Sequence, residues 1–592
     1  MCYKLYIIFP VLFFRCLVSF AQIAQPYTWQ NPAASNFPVV EGQAWPAEVA
    51  SRYDRFPIRA EKTLNPNVWN LSHSSAGLYI KFKTNAANLV VRYVVKGALE
   101  MTHMPATGVS GVDLYAIDPN GQWKWAPSSR SFGDTIEYRF SNLVVSSEFP
   151  GRDYEYRLYL PLYNTVSWLS IGVPNNHSFN FMPLSPEKPI VVYGTSIAQG
   201  ACASRPGMAW TALLQQQLDR PLINLGFSGS GRLEQPVIAL MNEIDARLYV
   251  LDCLPNLTAF SGISAQELEN RIIAAVKALK EKRPAVPVLL VEHSVGAQTG
   301  IIDTAAQHDY ENASVVLRRS FDKMKGDGIS GIYLLSNKEI GLSIYSTVDG
   351  VHPNDVGMME YARAYEKIIR HILNEPAGLL STTIPVVQSR DGYYNWRSRH
   401  SEIIVLNKTN APRIIFFGNS IIHYWGGQPS APLTRGAGSW NKYLEPAGVR
   451  NGAFGWDRIE NILWRVYHDE LDGFNAAQIW VMAGTNNLTI NSDVEIAEGL
   501  RQLITAIKVR QPKAAIVLSG ILPRRAMEKR IVILNIRIAA LARRLHVQYV
   551  NPGLALLNRQ HKIEESLFGD GLHPNAVGYD KLAVAIQPYL KK

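Results

Sequence analysis

The feature that most constrains the fold is a large internal repeat. An apolar stretch ends in Gly194-Thr-Ser196 in the first copy and in Gly418-Asn-Ser420 in the second. Each copy closes on the run Asp-Gly-x-His-Pro-Asn, at residues 349–354 and 570–575. The serine precedes the aspartate of that run by 153 residues in the first copy and by 150 in the second. Two landmarks at matching separation predict two related domains.

Both copies alternate between short apolar strands and segments with helical spacing. Residues 264–280, for example, have the spacing of an amphipathic helix. The predicted strands are 190–193 and 286–291 in the first copy, and 413–417, 479–482 and 515–518 in the second. This alternation predicts, in each copy, a parallel sheet wrapped by helices.

The region before the repeat has a different texture. Residues 77–83 and 88–95 alternate or run in β-branched and aromatic residues, and Asp118-Pro-Asn-Gly121 is typical of a hairpin turn. We therefore expect an all-β sandwich or jelly-roll. The predicted organisation is a signal peptide at 1–21, a β-sandwich domain at 22–186, an α/β domain at 187–375, a linker and leading helix at 376–409, and a second α/β domain at 410–592.

Residues 1–21 have the pattern of a secretory signal. Lys4 precedes the apolar stretch 6–14, and the small residue Ala21 is suited to cleavage. Arg15 disfavours a membrane-spanning helix, and no later stretch reaches 18 apolar residues, so we expect no membrane span. The sequence predicts a secreted or periplasmic protein.

Charge and composition exclude several classes of protein. The formal net charge is +10, of which Lys4 and Arg15 contribute two, leaving +8 after residue 21. These charges are scattered without a run of five or six, so no nucleic-acid interface is indicated. Hydrophobic residues at 47% exclude disorder, and charged residues at 18% exclude a coiled coil. No feature of the sequence indicates an oligomeric state.

The two serines are candidate nucleophiles. A turn that runs from a strand through Gly-x-Ser into a helix exposes the Ser Oγ at the carboxyl edge of a parallel sheet, where open α/β folds bind ligands. The helix N-terminus there also favours a developing negative charge. The alternative is that Ser196 and Ser420 only cap their helices.

The closing run supplies the partners that a serine needs. An imidazole can act as base to a Ser hydroxyl if a carboxylate fixes its tautomer and stabilises its charged form. We expect Asp349 to accept from Nδ1–H of His352 while Nε2 faces Ser196. The second copy repeats these residue types as Ser420, Asp570 and His573. The alternative is a capping Asp and a surface His.

An acyl-transfer site also needs hydrogen-bond donors for the oxyanion. Backbone N–H groups at glycine and the side-chain amide of Asn are the expected types. Each half contains two segments that could supply them, at 224–230 and 252–256 in the first and at 451–457 and 484–487 in the second.

At this point a family resemblance is clear. Both α/β halves resemble SGNH (GDSL-type) hydrolases, which are named for Ser, Gly, Asn and His in four sequence blocks, and this resemblance implies a flavodoxin-like fold. The second half further resembles catalytic subunits of the brain-type platelet-activating-factor acetylhydrolase at 484–487, 463–465 and 522–524. Residues 28–185 resemble the β-domain marked by Gly-x-Asp-Leu-Tyr, here Gly111 to Tyr115, that precedes such esterases.

The resemblance assigns roles to particular positions. The implied first site contains Ser196, Gly229, Asn256, Asp349 and His352. The implied second site contains Ser420, Asn486, Asp570 and His573, with a further oxyanion donor at Gly455 or Trp456. Trp456 stands where the family has glycine. A backbone N–H survives that replacement, and the indole is expected to shape or narrow the acyl pocket.

Two cysteines remain after residue 21. In an oxidising compartment, Cys202 and Cys253 suggest one disulfide, and the alternative is two buried thiols. By the family resemblance, both would lie beside the first site, where a disulfide could brace the nucleophile helix against the oxyanion loop.

No metal or cofactor is expected. The pairs at 292–293 and 308–309 lack zinc-like spacing, and the glycine-rich segment 226–231 lacks the Lys-Ser/Thr of a phosphate loop. Hydrolysis by a serine requires neither.

These observations predict an exported serine ester hydrolase with two catalytic domains. By analogy with carbohydrate esterases, we expect an acetylated polysaccharide or oligosaccharide as the substrate. One alternative is a lipid or short-chain acyl esterase, and another is a carbohydrate-binding protein with only one active half. The aromatic residues at 123, 125, 154 and 156 could stack on sugars or could form the core of the sandwich.

Overall fold

The computed structural model describes residues 26–293 and 304–591. The predicted signal peptide lies outside this part of the chain. The expected fold class is confirmed, because an antiparallel β-rich domain precedes two α/β domains with parallel sheets. None of the helices in the described residues combines the length and the apolar character needed to cross a bilayer.

The N-terminal domain is a sandwich of two antiparallel sheets around an aromatic and aliphatic core. Its strands are β1 (Tyr27–Gln30), β2 (Val40–Glu41), β3 (Tyr79–Thr84), β4 (Leu89–Val95), β5 (Asp113–Ile117), β6 (Trp123–Ala126), β7 (Ser129–Ser131), β8 (Ile136–Phe140), β9 (Tyr154–Tyr159), β10 (Val166–Pro174) and β11 (Phe179–Phe181). One sheet has the order β1-β10-β4-β8-β7, and the other has β11-β3-β9-β5-β6 with β2 on β3. Two short helices, α1 (Pro66–Ser72) and α2 (Ala106–Val109), lie between strands.

The first α/β domain has a five-stranded parallel sheet in the order β13-β12-β14-β15-β16. Its strands are β12 (Ile190–Gly194), β13 (Leu222–Gly226), β14 (Leu248–Asp252), β15 (Val288–Val291) and β16 (Ile332–Leu335). Its helices are α3 (Ser196–Gln199), α4 (Trp210–Leu218), α5 (Gln235–Met241), α6 (Ala265–Lys282), α7 (Thr304–Gly326), α8 (Asn337–Ile340) and α9 (Asp355–Leu373). Strands β12, β13 and β14 are buried on both faces, as expected for a sheet covered by helices.

The second α/β domain repeats this topology in the order β18-β17-β19-β20-β21. Helix α10 (Trp396–Thr409) leads into it. Its strands are β17 (Ile414–Gly418), β18 (Val449–Ala453), β19 (Gln478–Met482), β20 (Ala515–Ser519) and β21 (Gln548–Val550). Its helices are α11 (Ser420–His423), α12 (Ala437–Ser439), α13 (Ile459–Tyr467), α14 (Asp493–Arg510), α15 (Glu528–Arg544) and α16 (Ala576–Ile586).

The Gly-x-Asp-Leu-Tyr motif joins the sandwich to the first α/β domain. Asp113 in β5 accepts a hydrogen bond from the Gly207 N–H at 3.1 Å and pairs with the Arg205 guanidinium. The same guanidinium donates to the Tyr115 hydroxyl at 2.6 Å. Because Arg205 and Gly207 lie between α3 and α4, this motif fixes the loop that follows the nucleophile helix.

Residues 376–395, which we call the connector, are packed against the second α/β domain and against the sandwich domain. The Thr382 hydroxyl donates to the carbonyl of Glu495 in α14 at 2.7 Å. The Ser389 N–H donates to the carbonyl of Pro119 at 2.9 Å, in the hairpin turn of the sandwich. The connector therefore belongs to the folded body of the protein.

A buried ionic cluster joins the two α/β domains. Arg220, two residues after the end of α4, is 1% exposed and donates to the Asp469 carboxylate at 3.1 Å and to the Tyr467 carbonyl at 2.5 Å. Glu375, at the end of the first α/β domain, lies 3.5 Å from the same guanidinium. Buried charges remain stable only when they are paired, so this cluster ties the domains together.

Candidate active sites

The first site lies at the carboxyl edge of its sheet. Ser196 follows β12 directly and begins α3. Its Oγ lies 2.9 Å from Nε2 of His352, whose Nδ1 lies 2.7 Å from the Asp349 carboxylate. The other oxygen of Asp349 accepts from the His352 backbone N–H at 2.7 Å. The carboxylate therefore holds the tautomer in which Nε2 can accept the serine proton.

The second site repeats this geometry. Ser420 follows β17 and begins α11. Its Oγ lies 2.8 Å from Nε2 of His573, and Nδ1 of His573 lies 2.7 Å from the Asp570 carboxylate. Each half of the chain thus brings an alcohol, an imidazole and a carboxylate within hydrogen-bond distance, and neither site borrows these groups from the other half.

The electrostatics of both sites favour a charged carboxylate, and those of the second site also favour a neutral imidazole. Partial burial opposes the charge of Asp349, but hydrogen bonds from the ring and backbone of His352 outweigh it and lower the Asp349 pKa. At Asp570 the same balance lowers the pKa to about 2. Burial lowers the pKa of His573, and the nearby Arg435 lowers it further against the pull of Asp570. His573 is therefore a neutral base at neutral pH.

The expected backbone donors to the oxyanion lie in equivalent loops. Gly229 and Trp456 both have left-handed backbones, with φ of 67° and 64°. Each lies two residues after a phenylalanine that is bonded to the last residue of the first strand. The Phe227 N–H donates to the Gly194 carbonyl at 3.0 Å, and the Phe454 N–H donates to the Gly418 carbonyl at 3.3 Å. Trp456 therefore occupies the position of the glycine, and its indole is half-exposed.

Gly455 was the other candidate donor, and the structure excludes it. Its N–H donates to Nδ1 of His423 at 3.0 Å, so it is not free for a substrate oxygen. The equivalent N–H in the first half, that of Ser228, is likewise bonded to Oε1 of Gln199 at 3.0 Å. Of the two candidates, only Trp456 can serve as the oxyanion donor.

The two asparagines occupy matching short helical turns after the third strand of each sheet. Oδ1 of Asn256 accepts from the Gly231 N–H at 3.2 Å, which leaves its Nδ2 hydrogens to donate. Nδ2 of Asn486 donates to the Asp457 carbonyl at 2.9 Å, and its second hydrogen remains. Both side chains are half-buried, as a group that meets a substrate oxygen must be.

The connector holds the second oxyanion loop. The Tyr394 hydroxyl donates to the Gly455 carbonyl at 2.9 Å, and Arg390 donates to the Trp456 carbonyl at 3.0 Å. With both carbonyls bonded to residues 376–395, the two peptide groups that flank the Trp456 Cα are fixed, and the first of them contains the Trp456 N–H. This role could not be predicted from the sequence, because the connector is rich in turn residues and carries no motif.

The sandwich domain performs the equivalent role at the first site. Arg55 is fully buried and donates to the Gly226 carbonyl at 2.7 Å, immediately before the first oxyanion loop. The Tyr163 hydroxyl donates to the carbonyl of Ser196 at 3.2 Å, and the His103 ring lies 6.0 Å from that of His352. The N-terminal domain therefore forms part of the first site.

The disulfide expectation was wrong. Cys202 and Cys253 are both free and buried. They belong to two core clusters on opposite faces of the first parallel sheet, because Cys202 packs with Val192 and Cys253 packs with Tyr193. Burial raises the Cys202 pKa to about 12, so this thiol is unreactive at neutral pH.

Most of the candidate stacking aromatics belong to the protein interior. Tyr154 and Tyr156 lie in the sandwich core. Trp125 is half-exposed, but its indole N–H donates to Asp113 at 2.6 Å and its ring lies under Arg205.

In the described residues, no cluster of three or more His, Cys, Asp or Glu side chains could hold a metal ion.

Sequence reasoning assigned no role to Gln199 or His423, the acceptors for the two loops. Each stands three residues after its serine. The available signal was their equivalent position in the two copies of the repeat, although the difference in residue type obscured it.

Comparison with known proteins agrees with this geometry. Residues 187–370 and 416–581 each match the model of the GDSL-like lipase/acylhydrolase family, and together these matches span more than half of the chain. The chain belongs to that family. It is an SGNH hydrolase with two tandem domains, and residues 27–179 match the N-terminal domain of SGNH-hydrolase-type esterases.

Individual relatives cover parts of this SGNH hydrolase. A platelet-activating factor acetylhydrolase IB subunit beta homolog from Drosophila melanogaster is 33% identical over 146 residues, covering 25% of this chain and 59% of the relative. The alpha1 subunit from Bos taurus is 25% identical over 211 residues, covering 34% of this chain and 86% of that subunit. The crystal structure of a protein described as a GDSL-like lipase from Bacteroides ovatus is similar with a TM-score of 0.53 and 29% identity, covering 59% of this chain and 98% of that protein.

Proposed function

We propose that this SGNH hydrolase is an exported esterase whose two sites remove acetyl groups from a polysaccharide or oligosaccharide. The observation that carries the proposal is the twin arrangement of Ser, His and Asp, with Ser–His distances of 2.9 and 2.8 Å and His–Asp distances of 2.7 Å in both halves. Export rests on the signal-like residues 1–21.

The reaction follows from the groups present. The serine Oγ attacks the ester carbonyl carbon while its proton passes to Nε2 of the histidine. The carbonyl π electrons move onto oxygen, which faces the backbone N–H of Gly229 or Trp456. Collapse expels the sugar alcohol, which takes the proton from the histidine, and leaves an acyl-serine. Water then repeats the sequence and releases acetate.

The surroundings of the second site support a large polar alcohol. The Asp570 side chain is 45% exposed, so the site is open to water. The exposed ring of Trp456 belongs to the oxyanion loop, and the exposed Tyr393 belongs to the connector, where its N–H is bonded to Asp391 at 2.8 Å. Asp391 in turn accepts from the Tyr424 hydroxyl, and the Tyr424 ring lies 5.8 Å from that of His573. Rings of this kind offer flat surfaces that a sugar can cover.

The test is acetate release from a panel of acetylated glycans by the wild type and by Ser196→Ala, Ser420→Ala and the double variant. We expect each single variant to keep part of the activity and the double variant to have none. Activity in the double variant would refute both sites. If one single substitution removes all turnover on every ester, the other half is not independently catalytic.

A second candidate function is hydrolysis of lipid acetyl esters. It is favoured by the relatives named as platelet-activating factor acetylhydrolase subunits. Nitrophenyl esters from acetate to palmitate and an acetylated glycerophospholipid separate the two. A maximum at eight or more carbons, or faster turnover of the phospholipid than of any glycan, would overturn the carbohydrate proposal.

A further inference from the structure

The last residue of each nucleophile helix accepts a hydrogen bond from the adjacent oxyanion loop. In the first half, Oε1 of Gln199 accepts from the Ser228 N–H at 3.0 Å. In the second half, Nδ1 of His423 accepts from the Gly455 N–H at 3.0 Å. Two chemically different side chains thus make the same bond at the same position of the repeat.

This bond lies immediately before the N–H expected to bind the oxyanion. Ser228 precedes Gly229, and Gly455 precedes Trp456. The acceptor belongs to the same helical turn as the nucleophile, in α3 or α11. The bond therefore ties the oxyanion donor to the serine at a fixed spacing.

Both acceptors are themselves held in one orientation. Gln199 is fully buried, and its Nε2 donates to the Leu162 carbonyl at 3.2 Å, so Oε1 must face the loop. The His423 ring is also fully buried, 4.8 Å from the Tyr394 ring and 5.2 Å from that of Tyr424.

His423 is also fixed in its protonation state. Burial, with the charges of Arg399 and Arg465, lowers its pKa to about 2. It is therefore neutral, with Nδ1 as acceptor and the proton on Nε2. This Nε2 has no hydrogen-bond partner in the described residues. The bond that Nδ1 accepts from Gly455 is therefore the one hydrogen bond of the His423 ring there.

We propose that Gln199 and His423 are positioning residues that aim the backbone N–H of the oxyanion donor at the developing negative charge. They touch the substrate at neither site and act through the loop. This inference rests on the proposed ester hydrolysis, since the charge arises only when the serine attacks a carbonyl.

The two halves provide the matched substitutions. The parent for the second site is Ser196→Ala, in which only Ser420 is active, and the variants added to it are His423→Gln and His423→Leu. The Gln side chain restores an acceptor of the kind used by the sister domain, whereas Leu fills the space without one. The parent for the first site is Ser420→Ala, with Gln199→Leu added.

We expect His423→Leu and Gln199→Leu to lower kcat for nitrophenyl acetate by about 10- to 100-fold with KM changed less than about threefold, since removal of an oxyanion donor costs about 10²- to 10³-fold. We expect His423→Gln to keep kcat within about threefold. A boronic acid that forms a tetrahedral adduct with the serine should lose affinity in parallel with kcat. Circular dichroism and the thermal midpoint identify any variant that fails to fold. If His423→Leu fails to fold, the kcat of His423→Gln alone tests the inference at the second site.

Three outcomes would overturn the inference. One is a kcat for a folded Leu variant equal to that of its parent, and another is a rise in KM at constant kcat. The third is a loss in His423→Gln as large as in His423→Leu, because the acceptor would then be irrelevant. Failure of the proposed function is distinct, since both single-serine parents would then be inactive on every ester.

Discussion

Asp570→Asn, made in the Ser196→Ala background, tests whether the second triad depends on its carboxylate. Asp570 accepts three hydrogen bonds, from Nδ1 of His573 at 2.7 Å, from the His573 N–H at 2.7 Å and from the Leu572 N–H at 3.0 Å. The Asn carbonyl oxygen can keep the two backbone bonds, so we expect the turn to survive. Its amide nitrogen then faces Nδ1, which favours the tautomer that cannot accept the serine proton.

The expected loss follows from the exposure of this carboxylate. In a buried Ser-His-Asp triad the same change lowers kcat by about 10⁴-fold. The Asp570 side chain is 45% exposed, so water can solvate part of the imidazolium charge when the carboxylate is absent. We therefore expect a decrease of about 10³-fold, equivalent to about 4 kcal/mol of transition-state stabilisation, with little change in KM.

The assay is steady-state hydrolysis of nitrophenyl acetate at pH 7, with the thermal midpoint as the control for folding. Asp349→Asn in the Ser420→Ala background is the matched variant, since its carboxylate is 44% exposed and makes the same contacts. A decrease of less than tenfold in a folded Asp570→Asn variant would refute the assigned role of this carboxylate.

Three further predictions follow from the site geometry. Trp456→Gly should widen the second acyl pocket and raise the butyrate-to-acetate ratio of kcat/KM by about tenfold. Gly229→Trp should lower that ratio at the first site, where no atom lies within 4 Å of the place that a Cβ would occupy. Unchanged ratios would exclude the indole from the pocket. Arg435→Gln removes a positive charge that lowers the His573 pKa, so the acidic limb of the second site's pH–rate profile should move to higher pH; a shift to lower pH would contradict the assignment. Both cysteines of the unreduced, denatured protein should be alkylated, and a mass showing neither modified would restore the disulfide.

The catalytic groups could be predicted because each lies in a short run that occurs twice. Ser196 and His352 have counterparts in Ser420 and His573, and a strand-to-helix turn after the first strand places the serine at the sheet edge in both halves. The two parallel sheets were predictable for the same reason, since apolar strands alternate with helical segments throughout both copies.

The remaining features depend on contacts between distant segments. The presence of two cysteines in an expected oxidising compartment suggested that Cys202 and Cys253 were bonded, but the cysteine count does not reveal which face of a sheet a side chain occupies. Gly455 and Trp456 were both candidate donors until the bond to His423 distinguished them. The connector likewise shows its role only when Arg390 is seen bonded to the second oxyanion loop.

The buried cluster around Arg220 has a consequence for how the molecule works as a whole. Separation of the halves would take the Asp469 carboxylate away from Arg220, so two charges that are buried and paired in the folded chain would have to be hydrated again. The halves should consequently melt together and keep one mutual orientation. A branched glycan with two esters as far apart as the two active sites could then bind both sites at once. Two domains joined by a flexible linker would instead bind their esters independently.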